Sequence, residues 1–525
     1  MATYQNPIIP GFYPDPSICR VGDDYYLVTS TFEYFPGVPI FHSKDLVNWK
    51  QIGHVLDRPS QLNLDGIPNS KGIYAPTIRY HEGIYYMITT FVVSQHGERK
   101  NFYVTATDPA GPWSDPIWLT GAPGIDPSLF FDDDGRVYYT GNRVPPTGQT
   151  HAKHMEIWLQ ELDVYEEKLI GEPVGIWDGA LKIAHAQESP HVYKKDGYYY
   201  LIIAEGGTGY THAVTVARSK HIAGPYEPNK RNPILTHRHL GQNYPISNVG
   251  HADIIETQDG EWWLFCLASR PYGGGMYRNM GRETFLAPVV WEEDWPVVAP
   301  ETGRLEEIMT GPSLLKDNAR VEIKTFDSFD DKKLGLEWNS IRTPRENFFS
   351  LEERPGYLRL KLKPESLAEE ANPSFIGRRQ QHISYQAVTE LEFEPKKADE
   401  AAGMTLFHSN DFHYRLEVSY QEGKELRVVK RAAGEEETIK VERVIGRGSI
   451  QLKAVAIKQD ISFYYRVSDA ESWTLLVDNQ DGRILSTDIA GGFVGTYVGL
   501  FATSNGQITE TVADFDWFEY KEAHI

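Results

Sequence analysis

The chain has few cysteines, a deficit of basic residues and no long apolar run. Cys19 and Cys266 are its only cysteines in 525 residues, too few for the disulfide framework of many secreted proteins. Lys and Arg number 52 against 73 Asp and Glu, a net charge of −21. This charge argues against a nucleic-acid or anionic-membrane partner, because phosphate binding needs clustered cations. No stretch approaches the roughly 20 apolar residues of a membrane-spanning helix.

The N-terminal sequence also lacks the features of a targeting peptide. MATYQNPIIPGFYPDP has no basic segment and no apolar core, so we expect no secretory signal and predict a cytoplasmic protein.

Aromatic residues are abundant, with 30 Tyr, 23 Phe and 12 Trp. Aromatic side chains favour β-strands and also stack on sugars or bases, and the acidic charge excludes the bases.

Five segments in the first 300 residues share one layout. Each has a small or polar residue, usually next to proline, then a short strand, a turn and an aromatic pair that opens the next strand. The segments start at residues 15, 75, 126, 189 and 252, in steps of 60, 51, 63 and 63. Units of about 40–70 residues built from short strands are typical of β-propeller blades. The repeat therefore predicts a five-bladed β-propeller.

The second part of the chain has a different rhythm. Residues 306–324 are rich in turn residues and lack aromatics, which indicates a linker. In 325–525, short alternating segments recur about every 10–15 residues between Gly, Asn and Asp turns, a pattern that favours a β-sandwich. The sequence thus predicts an all-β protein with a propeller in 1–305, a linker in 306–324 and a sandwich in 325–525.

Acidic residues recur where the repeats begin. The innermost strands of a propeller line its channel, so these positions converge at one mouth. They hold Asp15, Ala75, Asp126, Glu188 beside Ser189, and His251 beside Ala252. A single Asp before a strand often only caps a turn, but three acids at related positions favour a functional cluster. Such a cluster suits glycoside hydrolysis, which uses a pair of carboxyl groups, or a divalent cation, and the two are compatible.

Longer motifs carry a family resemblance over essentially the whole chain. Three of them resemble glycoside hydrolase family 43: FYPDPS (12–17), IDPSLFFDDDG (125–135) and QESPHVYKKDGYYYL (187–201). Three more are similar to its β-xylosidase branch: STFEYFPGVPIFHSKDLVNWK (30–50), IYAPTIRY (73–80) and GHADIIET (250–257). The C-terminal motifs resemble that branch's concanavalin A-like, jelly-roll type sandwich: FDSFDDKKLGLEWNSIR (326–342), RPGYLRLKL (354–362) and GRRQQH (377–382).

The resemblance implies an inverting, exo-acting hydrolase. Asp15 would be the general base, Glu188 the general acid, and Asp126 the residue that tunes the pKa of the acid and orients it. Ser189 stands where this branch commonly has glycine. An inverting pair of carboxyl groups is about 6.5–9.5 Å apart.

The resemblance also assigns secondary positions, each with a structural alternative. Phe32 and Tyr74 would contact substrate but could be plain core. Arg282 would bind substrate hydroxyls, or pair with Glu283 or the channel acids. Phe493, in a sandwich loop, would close the pocket. A Ca²⁺ ion held mainly by water would touch His251, although a lone histidine is more often structural.

We therefore expect a hydrolase that releases xylose from xylo-oligosaccharides or arabinose from arabinoxylo-oligosaccharides. An α-L-arabinofuranosidase is the alternative enzyme, and a non-catalytic carbohydrate-binding propeller is the alternative of another class. A binding propeller would have no reason to hold all three of Asp15, Asp126 and Glu188, so their presence together argues against that alternative. The segment HAKH (151–154) lacks the HExxH helix context of a zinc site. We expect no organic cofactor and no nucleic-acid or membrane partner, and the resemblance suggests a homodimer or homotetramer.

Overall fold

The computed structural model describes residues 2–94, 97–317, 319, 322–444, 448–467 and 472–523. In this part of the chain, helix is confined to the 3-10 turn Gly482–Leu485 and the α-helix Thr487–Ala490. No helix among the described residues is long and apolar enough to cross a membrane. Cys19 and Cys266 are free and buried. The chain is all-β, as predicted.

The described residues before 300 form five antiparallel sheets in chain order. Sheet 1 contains Ser17–Val21, Asp24–Val28, Gly37–Ser43 and Lys50–Leu56. Sheet 2 contains Gly72–Ile73, Thr77–His81, Ile84–Val92, Arg99–Ala106 and Ile117–Trp118. Sheet 3 contains Ser128–Phe131, Val137–Arg143, Glu156–Asp163 and Lys168–Trp177. Sheet 4 contains Glu188–Lys195, Tyr198–Glu205, Ala213–Ser219 and Glu227–Pro228, and sheet 5 contains Ser247–Glu256, Trp262–Ser269, Glu283–Glu292 and Trp295–Val298.

The innermost strands of these sheets contact one another in a closed cycle, which is a propeller-type arrangement. The cycle runs through Ser17–Val21, Thr77–His81, Ser128–Phe131, Glu188–Lys195 and Ser247–Glu256, and returns to the first. Four of these strands begin within two residues of the repeat's first residue, and Ser247–Glu256 contains that residue, Ala252, so the repeat positions do meet at one place.

A buried ionic network ties the innermost strands together. The carboxylate of Asp253, on sheet 5, accepts hydrogen bonds from Ser17 Oγ at 2.7 Å and from Arg79 Nη1 at 2.9 Å, and it also accepts from the Tyr193 hydroxyl. Arg79 Nη2 lies 2.9 Å from Nδ1 of His191. Burial alone would raise the pKa of Asp253, but Arg79 holds it far below its usual range. The fixed charge therefore joins sheets 1, 2, 4 and 5.

The C-terminal part is a sandwich of two antiparallel sheets. One contains Phe326–Asp327, Phe349–Ser350, Leu358–Lys361, Tyr385–Glu392, Ser449–Ile457, Asp460–Arg466, Thr474–Asp481 and Val512–Glu522. The other contains Ser374–Arg379, Ala401–Ser409, Phe412–Tyr420, Lys424–Ala432, Glu435–Arg443 and Tyr497–Thr503. Their inner faces enclose a core that includes the fully buried Leu391, Leu416, Leu452, Leu500 and Phe515.

The two parts of the chain pack directly on each other. Tyr34–Phe35 pairs with Ser340–Ile341, and Thr3–Gln5 pairs with Ile308–Thr310 at the start of the predicted linker. Residues 318, 320 and 321 of that linker lie outside the described residues.

A buried arginine of the sandwich reaches across the same interface. Arg379 donates from Nε to the carbonyl of Phe12 at 2.6 Å, and its guanidinium lies 4.2 Å from the ring centroid of Tyr13. Phe12 and Tyr13 lie three and two residues before Asp15. The interface therefore supports the backbone that leads to the site.

Candidate active site

The backbone takes an unusual conformation where the repeats begin. Asp15, Asp126, Ser189 and His251 have φ values of 58°, 55°, 56° and 51°. For residues other than glycine this left-handed conformation costs about 1–2 kcal/mol each. It persists where the surrounding structure imposes it, commonly at functional sites. Asp15, Asp126 and His251, and Glu188 beside Ser189, line one cavity.

Glu188 is not the equivalent of the other two acids. In sheet 4 the left-handed residue is Ser189, so Glu188 stands one position earlier than Asp15 and Asp126 do. The pairing of Glu188–Lys195 with Tyr198–Glu205 shifts register between Glu188 and His191. A bulge re-aims side chains locally, and here Glu188 lines the same cavity as the other acids.

One cavity of about 350 Å³ brings the predicted site residues together. Its lining includes all eight of them: Asp15, Phe32, Tyr74, Asp126, Glu188, His251, Arg282 and Phe493. The volume is at the small end of the range for ligand pockets, about 300–1,000 Å³. Positions 15 and 493 are therefore parts of one site.

Asp15 lies in a cationic, hydrogen-bonded setting. Ser30 Oγ donates to its carboxylate at 2.5 Å, and Arg282 Nη1 lies 2.9 Å away in an ion pair. His251 Nδ1 is 3.6 Å from Asp15 Oδ1 and 4.0 Å from Asp126 Oδ2. Burial acts to raise the pKa of Asp15, but Arg282, His251 and Ser30 together hold it below its usual value. Asp15 is therefore ionised at neutral pH.

The pKa values of Glu188 and Asp126 are raised, in contrast to that of Asp15. Removal from water, followed by repulsion from Asp15, raises the pKa of Glu188 to about 7, although Arg282 counteracts this. Burial and then the charge of Glu188 raise the pKa of Asp126 well above its usual value. The two carboxyl groups titrate as a pair and retain a proton near neutral pH. The cavity thus holds the ionised carboxylate of Asp15 together with a carboxyl pair, Asp126 and Glu188, that keeps a proton, the division of roles found in acid–base sites.

Three aromatic rings form one wall. The ring centroid of Phe32 lies 5.0 Å from that of Tyr74 and 5.8 Å from that of Phe493, and the last two are 6.1 Å apart. The Arg282 guanidinium lies 5.6 Å from the centroids of Phe32 and Phe493. Phe32 is only 2% exposed, so it belongs to the core and to the wall at once.

Phe493 comes from the sandwich. Its backbone N–H donates to Ser70 Oγ at 2.9 Å, and its carbonyl accepts from Arg282 Nη2 at 3.3 Å. Gly492 has a φ of 77°, and a Cβ there would stand 2.3 Å from Ser70 Oγ. Glycine is therefore required for the loop to approach the propeller. The cavity is built by both parts of the chain.

Arg282 makes one of the two ion pairs considered from the sequence. It pairs with the channel acid Asp15, whereas Glu283 pairs with Arg270 at 2.8 Å. Arg282 lies just before the strand Glu283–Glu292, and the ion pair described for it is with Asp15 and not with Glu283.

Several lining residues were not predicted. The cavity also contains Lys153 and His185, and Thr208 Oγ1 accepts from Arg282 Nη1 at 3.2 Å. These residues lie in loops between sheet strands, where the repeat gives no signal. The sequence of HAKH (151–154) gives no signal for the site, yet its lysine, Lys153, lines the cavity.

The described part of the site has no set of side chains that would ligate a metal ion directly. Among the described ranges, no group of three or more His, Cys, Asp or Glu side chains is arranged to hold one. The cation that neutralises Asp15 is Arg282. Calcium takes 6–8 oxygen ligands. The described residues of the site do not form a direct ligand shell of that kind for it.

Comparisons with known proteins agree along the whole chain. The family model "Glycosyl hydrolases family 43" matches residues 4–296, and "Beta xylosidase C-terminal Concanavalin A-like domain" matches 326–521. A xylosidase/arabinosidase of Butyrivibrio fibrisolvens is 46% identical, covering 99% of this chain and 100% of the relative. A non-reducing end alpha-L-arabinofuranosidase of Bacteroides ovatus is 40% identical, covering 99% and 95%. The crystal structure of a xylan beta-1,4-xylosidase from Bacillus halodurans C-125 superposes with a TM-score of 0.93 at 39% identity, covering 99% and 100%.

Proposed function

This chain belongs to glycosyl hydrolase family 43, and we propose that it is an exo-acting, inverting β-xylosidase. Its substrates are β-1,4-xylo-oligosaccharides, from which it releases the terminal xylose. One observation carries the proposal: Asp15, Asp126 and Glu188 line one cavity, with the pKa of Asp15 lowered and that of Glu188 raised to about 7. That opposition fits a base and an acid working at the same pH.

The reaction assigns a role to each carboxyl group. Glu188 donates its proton to the glycosidic oxygen as the bond from C1 to that oxygen breaks. Asp15 accepts a proton from a water whose oxygen bonds to C1 from the opposite face, which inverts the anomeric configuration. Asp126 is assigned the role of orienting Glu188 and tuning its pKa, because the two carboxyl groups line one cavity and the charge of Glu188 raises the pKa of Asp126. The aromatic wall and Arg282 hold the terminal sugar.

A second candidate is release of α-L-arabinofuranose by the same three residues. A relative with that printed activity is 40% identical over almost the full length. The two activities are separated by kcat/KM on an aryl β-D-xylopyranoside and an aryl α-L-arabinofuranoside. A ratio favouring the xyloside supports the main proposal, and the reverse ratio supports the alternative. No turnover of either would reopen the carbohydrate-binding interpretation.

The remaining structural predictions are part of the same proposal. We take the five sheets as five blades, which the closed cycle of innermost strands supports. The domain limits are 1–305, 306–324 and 325–525, supported by the matched ranges 4–296 and 326–521.

Analytical ultracentrifugation tests the proposed homodimer or homotetramer, and cell fractionation tests the proposed cytoplasmic location.

Calcium enters only as a water-held ion that touches His251. Such an ion would supply positive charge beside Asp15 and Asp126, and no step above depends on it. Elemental analysis of the purified protein before and after chelation tests its presence.

A further inference from the structure

Two loops outside the repeat pattern form one side of the cavity. The loop 144–155 contributes Lys153, and the loop 178–187 contributes His185 and Ala186. Lys153 is exposed and His185 partly exposed, so they stand toward the open side of the cavity.

Hydrogen bonds join the two loops just before Glu188 in the chain. The Ala186 N–H donates to the Lys153 carbonyl at 2.9 Å. The Met155 N–H donates to Oε1 of Gln187 at 2.9 Å. Because Gln187 precedes Glu188, these bonds fix Lys153 relative to the acid.

His185 is held by a glycine pair. Its carbonyl accepts from the Gly206 N–H at 2.8 Å. A Cβ on Gly207, whose φ is 67°, would stand 3.0 Å from Nε2 of His185. Glycine at 207 therefore leaves room for the imidazole against the cavity wall.

This side of the cavity is distinct from the wall that receives the terminal sugar. Phe32, Phe493, Arg282 and Asp15 are linked by the contacts given above. The acid has to reach the oxygen that joins the terminal sugar to the next one. The next sugar therefore lies beyond Glu188, toward the open side of the cavity.

We propose that Lys153 and His185 bind the hydroxyl groups of the leaving sugar and so determine the enzyme's preference among leaving groups. An ammonium group offers three donors, and an imidazole offers a donor and an acceptor, which suits a polyhydroxylated ligand. The inference rests on the proposed hydrolase function. It gives Lys153 and His185 a role in binding the sugar beyond the cleaved bond.

Lys153 has a second, measurable effect. Its charge lowers the pKa of Glu188, as do those of Arg282 and Arg99, against the opposite effects of burial and of Asp15. Asp126 is the remaining acid coupled to Glu188. Removing the charge of Lys153 raises the pH at which Glu188 loses its proton, and a purely structural role would not do this.

The test compares two substrates with the same terminal sugar. In Lys153→Met and His185→Ala, kcat/KM on xylobiose should fall at least about tenfold, the size of a lost hydrogen bond to a charged or strongly polar group. On 4-nitrophenyl β-D-xylopyranoside it should change less than about twofold, because the aryl group has no sugar hydroxyls to bind. Lys153→Met should also shift the basic limb of the aryl pH profile upward.

Lys182→Met removes an exposed lysine of the adjacent loop and is the matched control. Selective loss on xylobiose in Lys153→Met and His185→Ala, with Lys182→Met near wild type, supports the inference. Equal losses on both substrates, or none on xylobiose, would overturn it. Absence of turnover by the wild-type protein on both substrates would instead refute the proposed function.

Discussion

The carboxylate of Asp15 and the guanidinium of Arg282 form an ion pair 2.9 Å long, although 267 residues separate them in the chain. Arg282 also contacts the rings of Phe32 and Phe493. One arginine thus stabilises the ionised base and shapes the pocket for the sugar. Loss of this side chain has to affect proton transfer as well as binding.

Replacing Glu188 by Gln should reduce hydrolysis of xylobiose by at least about 100-fold, because general acid catalysis typically contributes 10²–10⁴-fold. An aryl xyloside with a good leaving group should lose less, since its leaving oxygen needs little protonation. Binding of xylose, measured by calorimetry, should survive. Turnover of xylobiose at the wild-type rate would remove Glu188 from the role of acid.

The pH profile of kcat/KM should be bell-shaped and asymmetric. Activity requires Asp15 ionised, and because its pKa is lowered, the acid limb lies below the ordinary range of an aspartate. Activity also requires Glu188 protonated, so it is lost as the pH rises through about 7. Initial rates on an aryl xyloside between about pH 3 and 9 follow the basic limb and test whether the acid limb lies below the ordinary aspartate range. A basic limb near the usual glutamate pKa would contradict the assignment.

Replacing Arg282 by Met should move both limbs upward, because its charge lowers the pKa of Asp15 and also that of Glu188. Arg282→Lys keeps a charge and should restore most of the profile without restoring the contact with Phe493. The measurement is the pH dependence of kcat/KM for the three proteins. If Met and Lys variants had the same profile, the charge of Arg282 would have no part in setting it.

The Phe493 loop offers a matched pair of glycine substitutions. Gly491 and Gly492 both have φ of 77°, but a Cβ at 491 meets open space, whereas at 492 it would stand 2.3 Å from Ser70 Oγ. Both alanine variants place a Cβ on backbone of positive φ, and Gly491, with a ψ of −166°, lies in a region that strongly favours glycine, so the control variant is strained as well. Gly492→Ala should therefore raise KM on xylobiose several-fold more than Gly491→Ala does. Similar KM values in the two would mean that the loop's approach to Ser70 does not position Phe493.

The sequence predicted some site residues from physical pattern and others only through family resemblance. Asp15 and Asp126 stand at the first positions of their repeats, and Glu188 and His251 stand one residue before them, so the convergence of the innermost strands points to all four. The register shifts beside Glu188 and His251 are not encoded in the repeat.

Phe493 could not be found from the pattern at all. It belongs to a loop of the other fold and reaches the cavity through a contact with Ser70, 423 residues away in the chain. Lys153 and His185 were missed because loop conformations depend on bonds between segments, such as that from Ala186 to Lys153. Regular elements are specified locally, whereas loop contacts depend on the assembled tertiary structure.

The origin of Phe493 in the sandwich has a consequence for how such proteins diversify. A gene fusion that exchanged the C-terminal half for another sandwich would leave the catalytic acids intact and remove a wall of their pocket. Ser70 and Gly492 are matched across the junction, so a substitution at either is felt at the other. The two halves therefore form one functional site, and an exchange of either half has to preserve the contact between Ser70 and the loop of Phe493.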